Sequence, residues 1–271
     1  MSLSLNTNIS SLQTQQALSQ SQSALQTSLQ RLSTGLRVNS AKDDAAAYAV
    51  ASSLTTTLNS QTQGIQNANN AQSYLQTADS YLGQVENNLQ RMRQLAVESN
   101  NGGLSTTDQA NLDKEYQQLA TANTNIETNA NYNGQKLFAG GTVTFQYGQS
   151  STTDVAGITN ANAASFNTST GTDVTSSANA VTAQGKIDAD LTALKAARAG
   201  LGAQQSGLTS TINTLTSSNT ALSAAKSTMI DTDYAAETSN MTRQNILQQA
   251  GTAMLAQANS APNSILNLLK G

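Results

Sequence analysis

Cysteine and histidine are both missing from the 271 residues. Their absence removes disulfides, thiol nucleophiles, imidazole bases and the usual zinc cages together. Proline is nearly missing too: Pro262 is the one instance, where average usage of about 5% would place around a dozen. An interior proline costs a helix about 3 kcal/mol, so this scarcity suits long uninterrupted helices. Charge is sparse as well, with Lys, Arg, Asp and Glu at 11% against roughly 25% in an ordinary domain. The net charge of −3 provides no basic field for nucleic acid or anionic lipid, so neither is expected as a partner. Aromatics are 4% and apolar residues 37%. That is too little side-chain volume for a large isolated core, and burial supplied by repeated partners is expected. No run approaches the roughly eighteen apolar residues of a membrane span. Met1-Ser2-Leu3-Ser4-Leu5-Asn6 lacks the basic and apolar regions of a cleaved signal.

What the chain does contain is heptads. Leu54, Gln61, Ala68, Leu75, Leu82, Leu89 and Ala96 fall seven apart, with Ala71, Ala78, Val85 and Met92 as a companion series. The pattern predicts one helix from Asp43 to Ser99, about 80 Å long at 1.5 Å per residue. Asn100-Asn101-Gly102-Gly103 stops it, since Asn and Gly tolerate the left-handed conformation that ends a helix. Ser105-Thr106-Thr107-Asp108 offers the next N-cap. Leu112, Tyr116, Leu119, Asn123 and Ile126 then carry a helix to Ala130, where Asn131-Tyr132-Asn133-Gly134 ends it. An unbroken series, Ile187, Leu194, Leu201, Leu208, Leu215, Leu222 and Met229, predicts another long helix over 178–229, with Leu191 and Ile212 on its second seam. Between the helices, Thr142 to Gly148 is β-branched and aromatic, and Thr152 to Thr159 offers a partner strand. Residues 138–177 read as a small, surface-exposed β element. The expected fold is mainly α: a long antiparallel helical rod with terminal coiled-coil helices and a small β-hairpin element.

The two ends lack charge in a way that carries more information. No side chain before Arg31 is charged, and none between Arg243 and Lys270. Both stretches are nevertheless amphipathic. The first carries Leu5, Ile9, Leu12, Leu18, Leu25, Leu29 and Leu32; the second carries Ile246, Leu247, Ala250, Met254, Leu255, Ala258, Ile265, Leu268 and Leu269. Solvated helices normally carry Lys and Glu. Neutral Gln, Asn, Ser and Thr enter an interior at lower cost once they find hydrogen bonds. Two such helices at opposite ends of one chain are expected to pair with each other and with further copies. Leu18, Leu25, Leu29, Leu32, Ile246, Leu247, Met254, Leu255, Ile265 and Leu268 are the candidate assembly residues.

Three blocks in order resemble bacterial flagellin. The first joins Ser21-Gln22-Ser23-Ala24-Leu25 to the run from Arg31-Leu32-Ser33-Thr34-Gly35-Leu36-Arg37 through Val38-Asn39-Ser40-Ala41-Lys42-Asp43-Asp44-Ala45-Ala46. The second is Asn88-Leu89-Gln90-Arg91-Met92-Arg93-Gln94-Leu95-Ala96-Val97, and the third runs from Asp233-Tyr234-Ala235-Ala236-Glu237 to Ile246-Leu247-Gln248-Gln249-Ala250-Gly251. The resemblance implies a filament subunit exported unfolded, without a cleaved signal, to the extracellular flagellum. It implies a terminal coiled coil lining the filament channel (D0, residues 1–42 with 231–271). It also implies a helical shell (D1, 43–137 with 178–230) carrying the 138–177 β element, in a minimal form without outer domains. Implied partners are further copies of the chain, a flagellar export chaperone, the filament cap and hook-junction proteins. No cofactor and no metal are implied. The resemblance further implies that Gln90, Arg91, Arg93, Gln94 and Leu95, with Glu115 from the following helix, pack against neighbouring subunits, and that Toll-like receptor five of a host reads the same surface. Many stimulatory flagellins have Glu where this chain has Gln94.

Other classes fit less well. An inserted HExxH metalloprotease needs histidine. The carboxylates Asp43-Asp44 and Asp231/Asp233 fall at helix starts, where capping explains them without catalysis, so no enzyme is expected. The alternatives are a hook-filament junction protein of the same axial family and a non-flagellar coiled-coil adapter.

Overall fold

The computed structural model describes residues 7–149 and 154–270, the stretch 262–270 as backbone. Five helices dominate: α1 (Ile9–Thr34), α2 (Ala45–Ser99), α3 (Thr106–Asn129), α4 (Ser177–Ile230) and α5 (Tyr234–Lys270). Two antiparallel strand pairs lie between α3 and α4. They are β1 (Asn131–Tyr132) with β2 (Gln135–Lys136), and β3 (Thr142–Gln146) with β4 (Val155–Thr159). The chain divides into two compact units, one of residues up to 56 with those from 221 on, the other of 57–220.

In the 57–220 unit the heptads form the core. Ala68, Leu75, Leu82, Leu89 and Ala96 are buried, as are Ala71, Ala78, Val85 and Met92. Ile187, Leu194, Leu201 and Leu208 of α4 close on them, whereas Leu215 is half-buried. The two helices run antiparallel, since Gln184 Nε2 donates to the Ala96 carbonyl (3.0 Å) and Gln61 Nε2 to Ser218 Oγ (3.1 Å). Between those points Arg198 of α4 clamps two turns of α2, reaching Asp79 at 2.8 Å and Glu86 at 2.5 Å. Both carboxylates raise the affinity of the Arg198 guanidinium for its proton.

α3 begins at a reciprocal capping box. Ser105 Oγ accepts from the Asp108 N–H and the Asp108 carboxylate accepts from the Ser105 N–H, both at 3.2 Å. Its register against α2 is set by polar groups: Asn88 Nδ2 donates to Asn123 Oδ1 (2.7 Å), and Gln109 Nε2 to the Ser99 carbonyl (2.9 Å). The Asn133-Gly134 pair, expected only to stop α3, is the two-residue turn of the β1–β2 hairpin. Its φ angles of 49° and 81° are the positive pair that such a tight turn demands.

The 138–177 element is not the surface feature its composition suggests. Phe138, Ile158, Phe166 and Val174 are buried in the main core. Phe138 and Phe166 meet edge to face at 5.9 Å, and Tyr74 of α2 packs on Phe145 (5.8 Å) and Tyr132 (5.6 Å). A few large apolar residues, widely spaced among Ser, Thr and Asn, dock the segment although its mean composition is polar. Gly64 makes the docking close, because a Cβ there would lie 1.9 Å from the Tyr147 carbonyl oxygen.

In the other unit α1 and α5 pair antiparallel. Asn8 Nδ2 donates to the Ala258 carbonyl (2.8 Å), Ser11 Oγ to Asn259 Oδ1 (2.7 Å), and Leu18 lies against Gly251. Arg31 sits 3.6 Å from the buried Glu237 at the far end. Gly35, at φ 72°, ends α1 and turns the chain into a bridge between Leu36 and Asp231. Val38, Ala51 and Ile230 make a small core beside that bridge.

Candidate functional site

The pairing of α1 with α5 uses small and polar groups and leaves the large apolar ones outside. Ser11 and Ser28 are buried, while Ile9, Leu12, Leu29, Ile246, Leu247 and Met254 are 47–62% exposed. Leu18, Leu25, Leu32 and Leu255 are half-buried. The expected pairing of the ends is therefore present, but the expected apolar stripe is only partly used by it. Close approach of two helices favours small side chains at the contact, and the larger ones flank it. A shallow groove of about 450 Å³ follows, lined by Thr14, Ala17, Leu18, Leu247, Gly251 and Met254. Of the exposed apolar side chains on the two paired helices, Leu247 and Met254 share this groove with half-buried Leu18, which makes it a candidate interaction surface. Ile265 and Leu268, also expected in this stripe, lie outside the described side chains.

The second surface lies on α2 and α3. Gln90, Arg91, Arg93 and Gln94 are exposed on α2 and Glu115 half-exposed on α3. Arg91 holds Glu115 through one guanidinium edge, Nε to Oε1 at 2.7 Å and Nη2 to Oε2 at 3.1 Å. The hydrogen bond from Arg91 keeps the Glu115 carboxyl below the usual range, and Glu115 in turn strengthens proton binding by Arg91. Arg91 also reaches Gln94 Oε1 at 3.4 Å. Arg93 turns the other way and pairs with Asp188 of α4 at 2.6 Å. Leu95 is corrected: it is fully buried in the main core. Because an α-helix turns about 100° per residue, the position after Gln94 falls on the core face shared with Met92 and Ala96. It supports the surface from below and is not part of it. Asp188 was not anticipated, and its only sequence signal is its place beside the heptad residue Ile187.

The paired carboxylates at the helix junctions are occupied structurally. Asp43 accepts from the N–H groups of Asn39 (3.1 Å) and Ser40 (2.9 Å), which hold its carboxyl below the usual range. Asp44 accepts from the Ala47 N–H and Asp233 from the Ala235 N–H, each at 2.9 Å, as caps of α2 and α5. Asp231 differs from that expectation: its carboxylate accepts from Ser227 Oγ at 2.5 Å, and its backbone forms the bridge to Leu36. Among the described residues no three metal-ligating side chains converge, and no helix is long and apolar enough to cross a membrane.

Residues 5–142 match the bacterial flagellin N-terminal helical region and residues 184–269 the bacterial flagellin C-terminal helical region. A flagellin of Halalkalibacterium halodurans is 36% identical over 98% of this chain and 99% of its own length. A flagellin of Bacillus subtilis is 34% identical with the same coverage. The crystal structure of Bacillus cereus flagellin, 32% identical, superposes with a TM-score of 0.49 over 59% of this chain and 93% of that one. End-to-end similarity at this level, with both helical regions matched in order, places the chain in the bacterial flagellin family.

Proposed function

We infer that the chain is the structural subunit of a flagellar filament, a helical homopolymer that serves swimming motility. The observation that carries this reading is the exposure of Ile9, Leu12, Leu29, Ile246, Leu247 and Met254 on the paired α1 and α5. Burying them in contacts between copies gains roughly 1.5–3 kcal/mol per fully buried side chain. In this reading the paired termini are the channel-lining coiled coil (1–42 with 231–271). Residues 43–137 with 178–230 are the surrounding shell, with 138–177 docked on it. The neutral Gln, Ser and Asn faces of the termini leave the channel free of strong fixed charge. The subunit acts outside the cell, after export through the flagellar channel with the help of a chaperone, and assembles between the hook-junction proteins and the cap. It does no chemistry, and its carboxylate pairs serve as caps and bridges.

Electron microscopy of the purified chain under polymerising conditions tests this, alongside a form lacking about thirty residues at each end. Filaments from the full-length chain alone are the expected result. Compact monomers from both would remove the reading and favour a junction or adapter role.

The Arg91–Glu115 pair supports a second role for the α2–α3 surface, as the contact with Toll-like receptor five. Both residues are held in fixed geometry on an exposed face beside Gln90 and Gln94. Receptor signalling by an Arg91→Ala monomer tests it, and undiminished signalling would remove it.

A further inference from the structure

Two buried carboxylates grip three consecutive residues of the segment between β4 and α4. Asp190 of α4, fully buried, accepts from the Thr168 N–H (2.8 Å), the Thr168 hydroxyl (2.6 Å) and the Ser169 N–H (2.8 Å). Glu127, in the last turns of α3, accepts from the side-chain amide of Asn167. The two grips differ in quality. Asp190 has three donors, whereas Glu127 has one, and its other oxygen, Oε1, is buried without a partner. Ser169 Oγ is likewise buried without a partner in the same segment.

Apart from the hydrogen bond from Asn167, the surroundings of Glu127 disfavour its anion. It is 8% exposed, so water contributes little to solvating it. The carbonyls at the C-terminus of α3 add a negative potential. Asp190 is the charged group that faces it from α4, Asn167 from the segment is neutral, and on the α2 side Asn123 engages the neutral Asn88 and Met92. Tyr116, on the same helix as Glu127, is taken up by Thr172 at 2.7 Å. Burial pushes the Glu127 carboxyl up to about 7, with Asp190 adding to the rise against the opposing hydrogen bond from Asn167.

We propose that Glu127 is a proton-operated latch on residues 163–175: neutral, it holds the segment against α3 and α4, and ionised, it loosens it. The segment has something to release, since it carries Phe166 against Phe138 and Val174 into the core. The direction follows from the shift. A carboxyl whose docked-state value lies above its free value binds its proton more tightly when docked. Docking is therefore tightest at acid pH and weakens as pH rises between the ordinary value of 4.5 and about 7, then levels off. The Thr168 and Ser169 N–H groups reach Asp190 only while the segment is docked, so its loosening opens both amides to exchange.

The test is hydrogen exchange of the Thr168 and Ser169 amides in the full chain at pH 5 and pH 7.5, corrected for intrinsic rates. Their protection is expected to fall on the order of fifty-fold between the two. In Glu127→Gln, whose neutral amide mimics the protonated acid, protection should stay high at both. Equal protection at both pH values in the native chain overturns the proposal, as does the same fall in the variant. A fall spread over all of α2 and α4 would also overturn it, because that is global destabilisation. Should the variant not fold, a carbon-13 titration of the Glu127 carboxyl in the native chain decides: a midpoint near 7 supports the latch, and one near 4.5 ends it.

Discussion

Arg91 of α2 and Glu115 of α3 are joined by two parallel hydrogen bonds, 2.7 and 3.1 Å long, on an exposed face. The bidentate geometry fixes the orientation of both side chains, but water surrounds them, so the pair adds little to the stability of the monomer. Glu115→Gln should therefore leave the thermal midpoint of the monomer essentially unchanged while altering whatever reads the surface, filament growth or receptor signalling. Differential scanning calorimetry beside a polymerisation assay checks this. A clear drop in the midpoint would mean that the pair is structural after all.

The packing seam gives a graded prediction. Leu194 is fully buried in the main core, and Leu215, three heptads later, is half-buried. Leu194→Ala should cost about 2–5 kcal/mol, and Leu215→Ala clearly less, because a half-open site already has water at its edge and leaves a smaller cavity. Urea unfolding of the two variants measures the difference. Equal losses would place the seam in a different register from the one described.

Much of this was legible in the sequence because seven-residue spacing is a long-range, redundant signal. Every α2 heptad residue from Ala68 to Ala96 is buried, and α4 begins and ends within one residue of the span its leucines predict. The caps at Ser105, Asp44 and Asp233 were equally readable, since a cap depends on neighbours three residues away. The docking of 138–177 was not. Phe138, Ile158, Phe166 and Val174 are too far apart to form a pattern, and Asp190 and Glu127, which bind Asn167, Thr168 and Ser169 of the segment, look like solvent-facing charges until the fold buries them. Leu95 failed for a related reason: a motif read as a continuous string ignores that successive helical residues point in different directions.

Gly64 shows the same limit from the other side. Nothing in the heptads of α2 singles it out, and an exposed helical glycine replaced by alanine gains up to about 1 kcal/mol in propensity. Here the added Cβ would meet the Tyr147 carbonyl oxygen at 1.9 Å and its carbon at 2.5 Å, both backbone atoms. The clash outweighs the propensity gain, with overpacking costs of about 1–3 kcal/mol. Gly64→Ala should destabilise the chain and raise hydrogen exchange at β3 and β4 in particular. Unchanged exchange in the hairpin, with a raised midpoint, would show that the hairpin is not held against α2.

The terminal stripe separates folding from assembly most sharply. Leu12, Ile246 and Met254 are about 60% exposed, so replacing them with glutamine removes little burial from the monomer. The α1–α5 contacts through Asn8, Ser11, Leu18 and Arg31 remain in place. In a polymer each lost apolar contact would count at every subunit, at about 25 cal/mol per Å² of surface left uncovered. The triple variant Leu12→Gln, Ile246→Gln and Met254→Gln should keep the circular dichroism and melting of the native monomer but raise its critical concentration for polymerisation at least tenfold. A Ser28→Leu variant makes the converse case, because Ser28 is buried in the α1–α5 unit and the larger side chain would strain that pairing. If the triple variant polymerised normally, the exposed stripe would not be the assembly surface, and contacts within the 57–220 unit would have to carry the filament.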